Sequence, residues 1–297
     1  MEKQFACALC PRQCGANREN GTGFCGAGNM MKIARAALHF WEEPCISGSR
    51  GSGTVFFTGC NLRCSTCQNY PISFGGFGKA LEIEEVSEVF LRLENEGAHN
   101  INLVTPTPWR ALIQEALAIA RRKGLRIPII WNTGGYETIE AIESLSSDVD
   151  IWLTDLKFIS SELSERIANA PGYFEKASAA VVKMVGQSGP PVFDGEGMLM
   201  RGTVIRVLVL PGSREDAKNI LRWMAEHLPR DHYLVSVMSQ YTPPARAVDA
   251  PLRRRVTSFE YQDVVDTAIA LGLTNGYMQN RRSASVEYTP PFDLTGV

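Results

Sequence analysis

The sequence predicts an α/β protein, a parallel sheet covered by helices and curled into an open or partial barrel, preceded by a small cysteine-rich module. Three observations carry that prediction. Six short apolar runs of strand character alternate with stretches of helical periodicity. All eight cysteines of the 297-residue chain fall at or before Cys67. The first apolar run leads straight into a cysteine-bearing turn, on the side where strands of such sheets place their reactive groups.

The first module, residues 1–46, carries Cys7, Cys10, Cys14 and Cys25, interleaved with Gly15, Gly21, Gly23, Gly26 and Gly28. Thiolates at this spacing in a glycine-rich loop read as ligands of one metal centre. Four ligands close the coordination. Such a centre is structural if zinc, and structural or electron-relaying if iron–sulfur, because a tetrathiolate suits both. Cys45 is left over, and a lone cysteine is more often a small buried apolar residue than a ligand. The Ser/Gly-rich link 47–53 opens the main domain, taken as 47–245, and residues 246–297 form a C-terminal helix and tail that complete it.

The strand candidates are 55–58, 101–104, 127–131, 149–154, 203–210 and 233–238. Between them Val86, Val89, Phe90 and Leu93 recur at helical spacing, with Gly97 placed to end that helix. Leu112, Ala116, Ile119 and Ala120 mark one side of a second helix that stops near Gly124. A later helix begins at Ser213, with Asp216 three residues on as a variant capping box.

Cys60, Cys64 and Cys67 stand at C-x3-C-x2-C in the turn after the first strand. A cubane cluster has four irons, so three thiolates leave one iron open to a small molecule. Zinc or three structural thiols are the alternatives. Zinc usually takes a fourth ligand close by, and no His lies between Cys60 and His99. The other strand ends supply Thr105 and Thr107, Asn132, Asp155 and Lys157, and Gln240. Asp155 and Lys157, two apart, should project to one face and either grip opposite polarities of a ligand or pair with each other. Arg206, inside an apolar strand, needs an anion: a ligand carboxylate or a structural partner such as Asp155.

The cysteine spacing resembles the signature of the radical S-adenosylmethionine (SAM) superfamily. Phe57 before the first cysteine and Asn69 after the last are similar to the activating enzymes of glycyl-radical proteins. The stretches Trp41-Glu42-Glu43-Pro44, Val104-Thr105-Pro106-Thr107, Asn132-Thr133-Gly134-Gly135-Tyr136, Asp155-Leu156-Lys157-Phe158, Leu208-Val209-Leu210-Pro211-Gly212 and Met238-Ser239-Gln240-Tyr241 resemble the PflX-like branch of the pyruvate formate-lyase activating-enzyme relatives. The resemblance implies a partial (β/α)6 TIM-like barrel and a [4Fe-4S] cluster on Cys60, Cys64 and Cys67. SAM chelates the open iron and is cleaved by a low-potential electron, from a donor of flavodoxin or ferredoxin type, to methionine and a 5′-deoxyadenosyl radical. It places Thr105 and Thr107 near the methionine amino group, Asn132 and Asp155 near the methionine or ribose, Lys157 at the carboxylate and Gln240 near the ribose. Three positions depart from the family pattern. Thr105-Pro106-Thr107 replaces Gly-Gly-Glu, Thr66 replaces an aromatic residue and leaves the adenine contact to a residue such as Tyr70, and Gly53 replaces a basic residue.

Hydrophobic content of 44% and a net charge of −2 exclude an electrostatic nucleic-acid binder, and the sequence carries no signal-peptide core or long apolar run, which predicts a cytoplasmic protein without membrane partners. The clusters Arg253-Arg254-Arg255 and Arg281-Arg282 are solvated faces or docking points for an acidic partner. Three functions follow. One is activation of a glycyl-radical enzyme, the second is radical modification of a small molecule or another peptide, and the third is an iron–sulfur electron carrier that makes no radical. A large substrate would enter by the barrel's lateral opening. A small one would need a lid, from the N-terminal module or the segment 186–202.

Overall fold

The computed structural model describes residues 7–245, 249–279 and 289–297. It begins with β1 (Met31–His39), α1 (Pro44–Ser47), β2 (Ser52–Phe57), α2 (Tyr70–Ser73), β3 (Lys79–Leu81) and α3 (Ile83–Asn95). Then follow β4 (Ile101–Val104), α4 (Arg110–Lys123), β5 (Ile129–Thr133), α5 (Ile139–Ser144), β6 (Ile151–Asp155), α6 (Ser161–Ala168) and α7 (Tyr173–Ser188). The rest comprises β7 (Val192–Phe193), β8 (Leu199–Leu208), α8 (Arg214–His227), β9 (Leu234–Met238), α9 (Ser258–Ala270) and β10 (Gly276–Met278). The sheet runs β10-β9-β8-β6-β5-β4-β2-β1-β3. Its pairs from β2 to β10 are all parallel, whereas β1 is antiparallel to both β2 and β3.

Each of the six expected strands is present, because each apolar run is buried on both faces. One face meets the helices: Val55, Phe57, Ile101, Leu103, Ile129 and Trp131 share a core with α3 and α4. The other face turns inward, where Ile130, Ile151, Leu153, Val204 and Leu234 close around Cys45 and Ile46. A strand burying both faces reads as a continuous apolar run. β1 and β3 sit at the edge, and β10 is too short to read; it opens on Gly276, where a Cβ would overlap the Val235 backbone.

Several boundaries move. The expected break at 46/47 falls inside one continuous sheet, because β1 pairs with β2 and the turn after it, with α1, fills the sheet's interior. The cysteine-bearing part of the N-terminal module therefore ends before Met31. Residues 289–297 return to β1, where Leu294 N donates to Ala34 O at 3.0 Å and Ala36 N to Thr295 O at 2.9 Å. α4 buries Ile113, Ala116, Leu117 and Ala120, one position round from the stripe expected. Ser213 precedes α8 without capping it through its side chain; the Asp216 carboxylate instead accepts from the backbone N–H of Ile159 at 3.2 Å and Ser160 at 2.8 Å. True capping boxes stand at Glu82/Glu85 and Thr257/Glu260. Of the basic clusters, Arg254 pairs with Glu260 at 2.7 Å, and Arg281-Arg282 lie outside the described residues. No helix among the described residues is long and apolar enough to cross a membrane.

Candidate active site

The turn after β2 is shaped by close backbone approaches. Gly59 has φ +96°, and a Cβ there would lie 2.9 Å from the Cys25 carbonyl oxygen. The Cys60 N–H donates to that same oxygen at 3.0 Å, Cys67 N donates to Cys64 O at 3.0 Å, and Ser65 N reaches Ile167 O at 2.8 Å. Leu62 N approaches the Cys60 Sγ at 3.4 Å. Cys60, Cys64 and Cys67 emerge half-buried on one loop. Burial raises the Cys60 thiol, with the neighbouring Cys67 adding to it. Burial likewise pushes Cys64 up to about 12, opposed by the Lys157 ammonium. Thiols this desolvated stay protonated at neutral pH unless a cation replaces the proton. Three soft donors in such a setting fit an iron–sulfur cluster. Among the described residues no three His, Cys, Asp or Glu side chains stand close enough to hold a single ion.

The loop opens on a cavity of about 570 Å³ that Thr105, Thr107, Asn132, Asp155, Lys157, Arg206 and Gln240 also line. Thr105, at the end of β4, has φ +58°, a left-handed conformation that costs a β-branched residue energy and collects at functional sites. Its N–H is held by Asn132 O at 2.9 Å. Gly134 and Gly135 let the turn after β5 pass beneath the cysteine loop, since a Cβ on Gly134 would meet Leu62 at 2.7 Å and one on Gly135 would overlap the Asp155 carbonyl. Lys157 Nζ donates to Asp155 Oδ2 at 2.5 Å. Burial works against the Lys157 charge, but Asp155 and then Cys64 outweigh it and raise its pKa. The Gln240 Oε1 accepts from Gln279 Nε2 at 3.0 Å.

Arg206 departs from its expected partners. Its Nε donates to Glu43 Oε1 at 2.8 Å and its Nη2 to Glu43 Oε2 at 2.5 Å, and Nη2 also bonds Glu42 Oε2. The structural partners are thus Glu42 and Glu43 rather than Asp155, which stands beside Arg206 on the next strand. Trp41-Glu42-Glu43-Pro44 carried no assigned role in the sequence. Glu137, also missed, is buried behind the cavity wall and accepts from Thr107 Oγ1 at 2.5 Å and Thr133 Oγ1 at 2.6 Å. Burial raises its pKa against those donors. Tyr70 is not among the lining residues; its ring stacks on Phe74 at 4.8 Å. Segment 186–202 is not among them either, because it ends α7 and forms the β7–β8 hairpin at the opposite end of the parallel strands.

Cys7, Cys10, Cys14 and Cys25 line a second cavity of about 20 Å³ against Asn61 and Thr107 of the barrel. Burial pushes Cys10 up to about 11 and raises Cys25, while N–H donors from Phe24 and Ala16 outweigh burial at Cys14 and lower it. Arginines dock this module. Arg12 donates to Asn61 O at 2.8 Å, Ala168 O at 2.8 Å and Asn169 O, and its guanidinium lies 4.1 Å over the Phe24 ring. Arg18 bonds Pro108 O at 2.6 Å, and Arg63 reaches Phe24 O at 3.0 Å. Cys45 is buried in the floor of the sheet's interior.

Residues 54–227 match the radical SAM superfamily model. The chain is 30% identical over 275 residues to an uncharacterized protein of Methanocaldococcus jannaschii, MJ0674, covering 88% of this chain and 74% of that one. Among solved structures it is similar to methylornithine synthase (PylB), with a TM-score of 0.50 and 16% identity over 74% of this chain and 60% of that chain. Streptococcus suis SuiB bound to S-adenosylmethionine gives a TM-score of 0.50 and 12% identity, covering 74% of this chain and 48% of SuiB. The chain thus spans less than two thirds of either solved structure, and likeness at these identities shows the fold.

Proposed function

The chain belongs to the radical SAM superfamily, and from that membership we propose that it cleaves SAM at a [4Fe-4S] cluster held by Cys60, Cys64 and Cys67 and acts on a substrate seated in the barrel. One observation carries the reading: three half-buried thiols on one loop open on a cavity lined by polar groups from the neighbouring strand ends. When bound, the cluster and SAM supply an electron transfer that breaks a carbon–sulfur bond and yields a 5′-deoxyadenosyl radical for hydrogen abstraction. The chain's residues do the positioning. Lys157 and Asp155 present both polarities beside Cys64, suited to the carboxylate and to amino or hydroxyl groups of the cofactor. The Thr107 hydroxyl donates to Glu137, which leaves its lone pairs for a cationic N–H donor in the cavity. Asn132 and Gln240 offer amides to the sugar. The lining side chains limit stray reaction of a species that attacks almost any nearby C–H bond.

A low-potential donor of flavodoxin or ferredoxin type supplies the electron. A second centre on the N-terminal cysteines is open between zinc and iron–sulfur on ligand chemistry; all four line one small cavity, but no three of them stand close enough in this structure to hold one ion. A cavity of about 570 Å³, shared with the cofactor, leaves room for no more than a small molecule or one peptide side chain. Activation of a glycyl-radical protein is the second reading, favoured by Phe57 and Asn69 flanking the cysteines. Anaerobic reconstitution with iron, sulfide, a strong reductant and SAM should release 5′-deoxyadenosine, and Cys64→Ala should release none. A reducible cluster whose spectrum ignores SAM would instead make this an electron carrier.

A further inference from the structure

The ionic group at the cavity floor carries more negative charge than positive. Glu42 and Glu43 share the single guanidinium of Arg206, with side chains only 10%, 5% and 12% exposed. Arg206 holds Glu43 below its ordinary pKa against the cost of burial, and the two glutamates hold Arg206 well above its own. Both carboxylates bond the one guanidinium, so two acidic side chains share a single cation in a poorly solvated place. The other charged groups lining the cavity do not compensate for this imbalance. Asp155 and Lys157 cancel each other, and burial lowers His39, leaving its imidazole neutral despite Glu42.

A second observation stands beside this charge. The side chain of Asn102 donates from Nδ2 to Glu42 Oε1 at 2.9 Å, yet its own Oδ1 is buried with no hydrogen-bond partner among the described residues. Asn102 shares its strand face with Val104, which lines the cavity, so the orphan acceptor belongs to the barrel interior. Buried acceptors without a donor are rare and costly. The neighbouring lining residues Phe40 and Trp41 are 50% and 45% exposed, large aromatic faces of the kind that attract a cation.

We infer that the cavity floor is a subsite for a cationic group of the substrate, an ammonium or guanidinium, held between Glu42 and the aromatic wall of Phe40 and Trp41. The inference rests on the radical SAM reading only in calling the occupant a substrate. It reverses the sign expected of Arg206, since a carboxylate brought there would be a third negative charge around one guanidinium. The ligand class is an amine-bearing molecule or a basic side chain whose head anchors at the floor while its carbon chain runs toward the cysteine loop.

The test needs neither cluster nor turnover. Four probes of equal length, pentylammonium, pentylguanidinium, pentanol and pentanoate, are titrated by calorimetry into the full-length protein, and again into Glu42→Gln. The two cations should bind at least about tenfold more tightly than pentanol or pentanoate. Glu42→Gln leaves Arg206 paired with Glu43 at zero net charge, so cation affinity should fall about tenfold and pentanol binding should not change. Preference for pentanoate would restore an anion site at Arg206 and overturn the proposal, as would no probe binding or cation binding indifferent to Glu42. If Glu42→Gln fails to fold, the ranking of the four probes on the wild-type protein decides alone. Failure of 5′-deoxyadenosine production with cation binding intact would sink the radical reading and leave the subsite standing.

Discussion

The mouth and the floor of the same cavity are built on opposite principles. At the mouth, Cys60, Cys64 and Cys67 come from eight consecutive positions and stand half-buried on one loop. At the floor, Glu42, Glu43, Asn102 and Arg206 come from three separate places in the chain, and the guanidinium is already occupied. The mouth depends on what binds it; the floor depends on what surrounds it. Loss of one mouth ligand should therefore cost chemistry, and loss of one floor partner should cost stability.

Cys64→Ala sharpens the contrast most. It should lower 5′-deoxyadenosine formation at least a hundredfold or so, while the unfolding midpoint of the cluster-free protein barely moves. A large loss of stability there would show that the mouth is a packing site. Arg206→Leu should do the reverse, leaving two buried carboxylates unpaired at a cost of about 3–5 kcal/mol in denaturant unfolding. An unchanged midpoint would mean that the floor is wet. Arg12→Ala removes charged hydrogen bonds from three carbonyls that join the N-terminal module, the cysteine loop and the end of α6, and should cost about 2 kcal/mol. It should also slow cluster incorporation, measured as iron bound per chain.

The smallest effect belongs to a position remote from both ends. Hydrogen bonds from Arg254, then from the Thr257 and Gly212 backbone, hold Glu260 well below the ordinary glutamate range. A depressed folded pKa gives stability that is complete above the unfolded value near 4.3 and is lost as pH falls toward the folded one. Denaturant titrations between about pH 5 and 2 should show Glu260→Gln losing about 1 kcal/mol less than the wild type. Parallel curves would mean that the pairing seen with Arg254 is absent in solution.

What could be read in advance follows the same division. The central strands were legible because burial on both faces makes an apolar run, and the placing of the three cysteines on one loop because their spacing is local. The positions at the strand ends could be placed around a cavity by fold geometry alone. Glu137 could not, although it lies five residues after Asn132, because its carboxylate works through Thr107 and Thr133 from behind the wall. The partners of Arg206 were invisible for another reason: the contact spans 163 residues, and the turn that carries Glu42 and Glu43 was assigned to a separate module when in fact it plugs the barrel. Ser213 and Asp216 show a sequence pattern outbid by tertiary contacts, the carboxylate being taken by the loop before α6. The edge strands escaped because one short side of each lies against neighbours that no local pattern announces.

The return of residues 293–297 to β1 has a consequence for how the molecule is made. Leu294, Thr295 and the Asp293–Arg35 ion pair, 2.8 Å long, zip onto an edge laid down within the first forty residues. During synthesis Ala34 O and Ala36 N therefore lack these partners until residues 293–297 have emerged. Chains truncated before Asp293 should aggregate through that stretch of β1 before any loss of redox chemistry is felt.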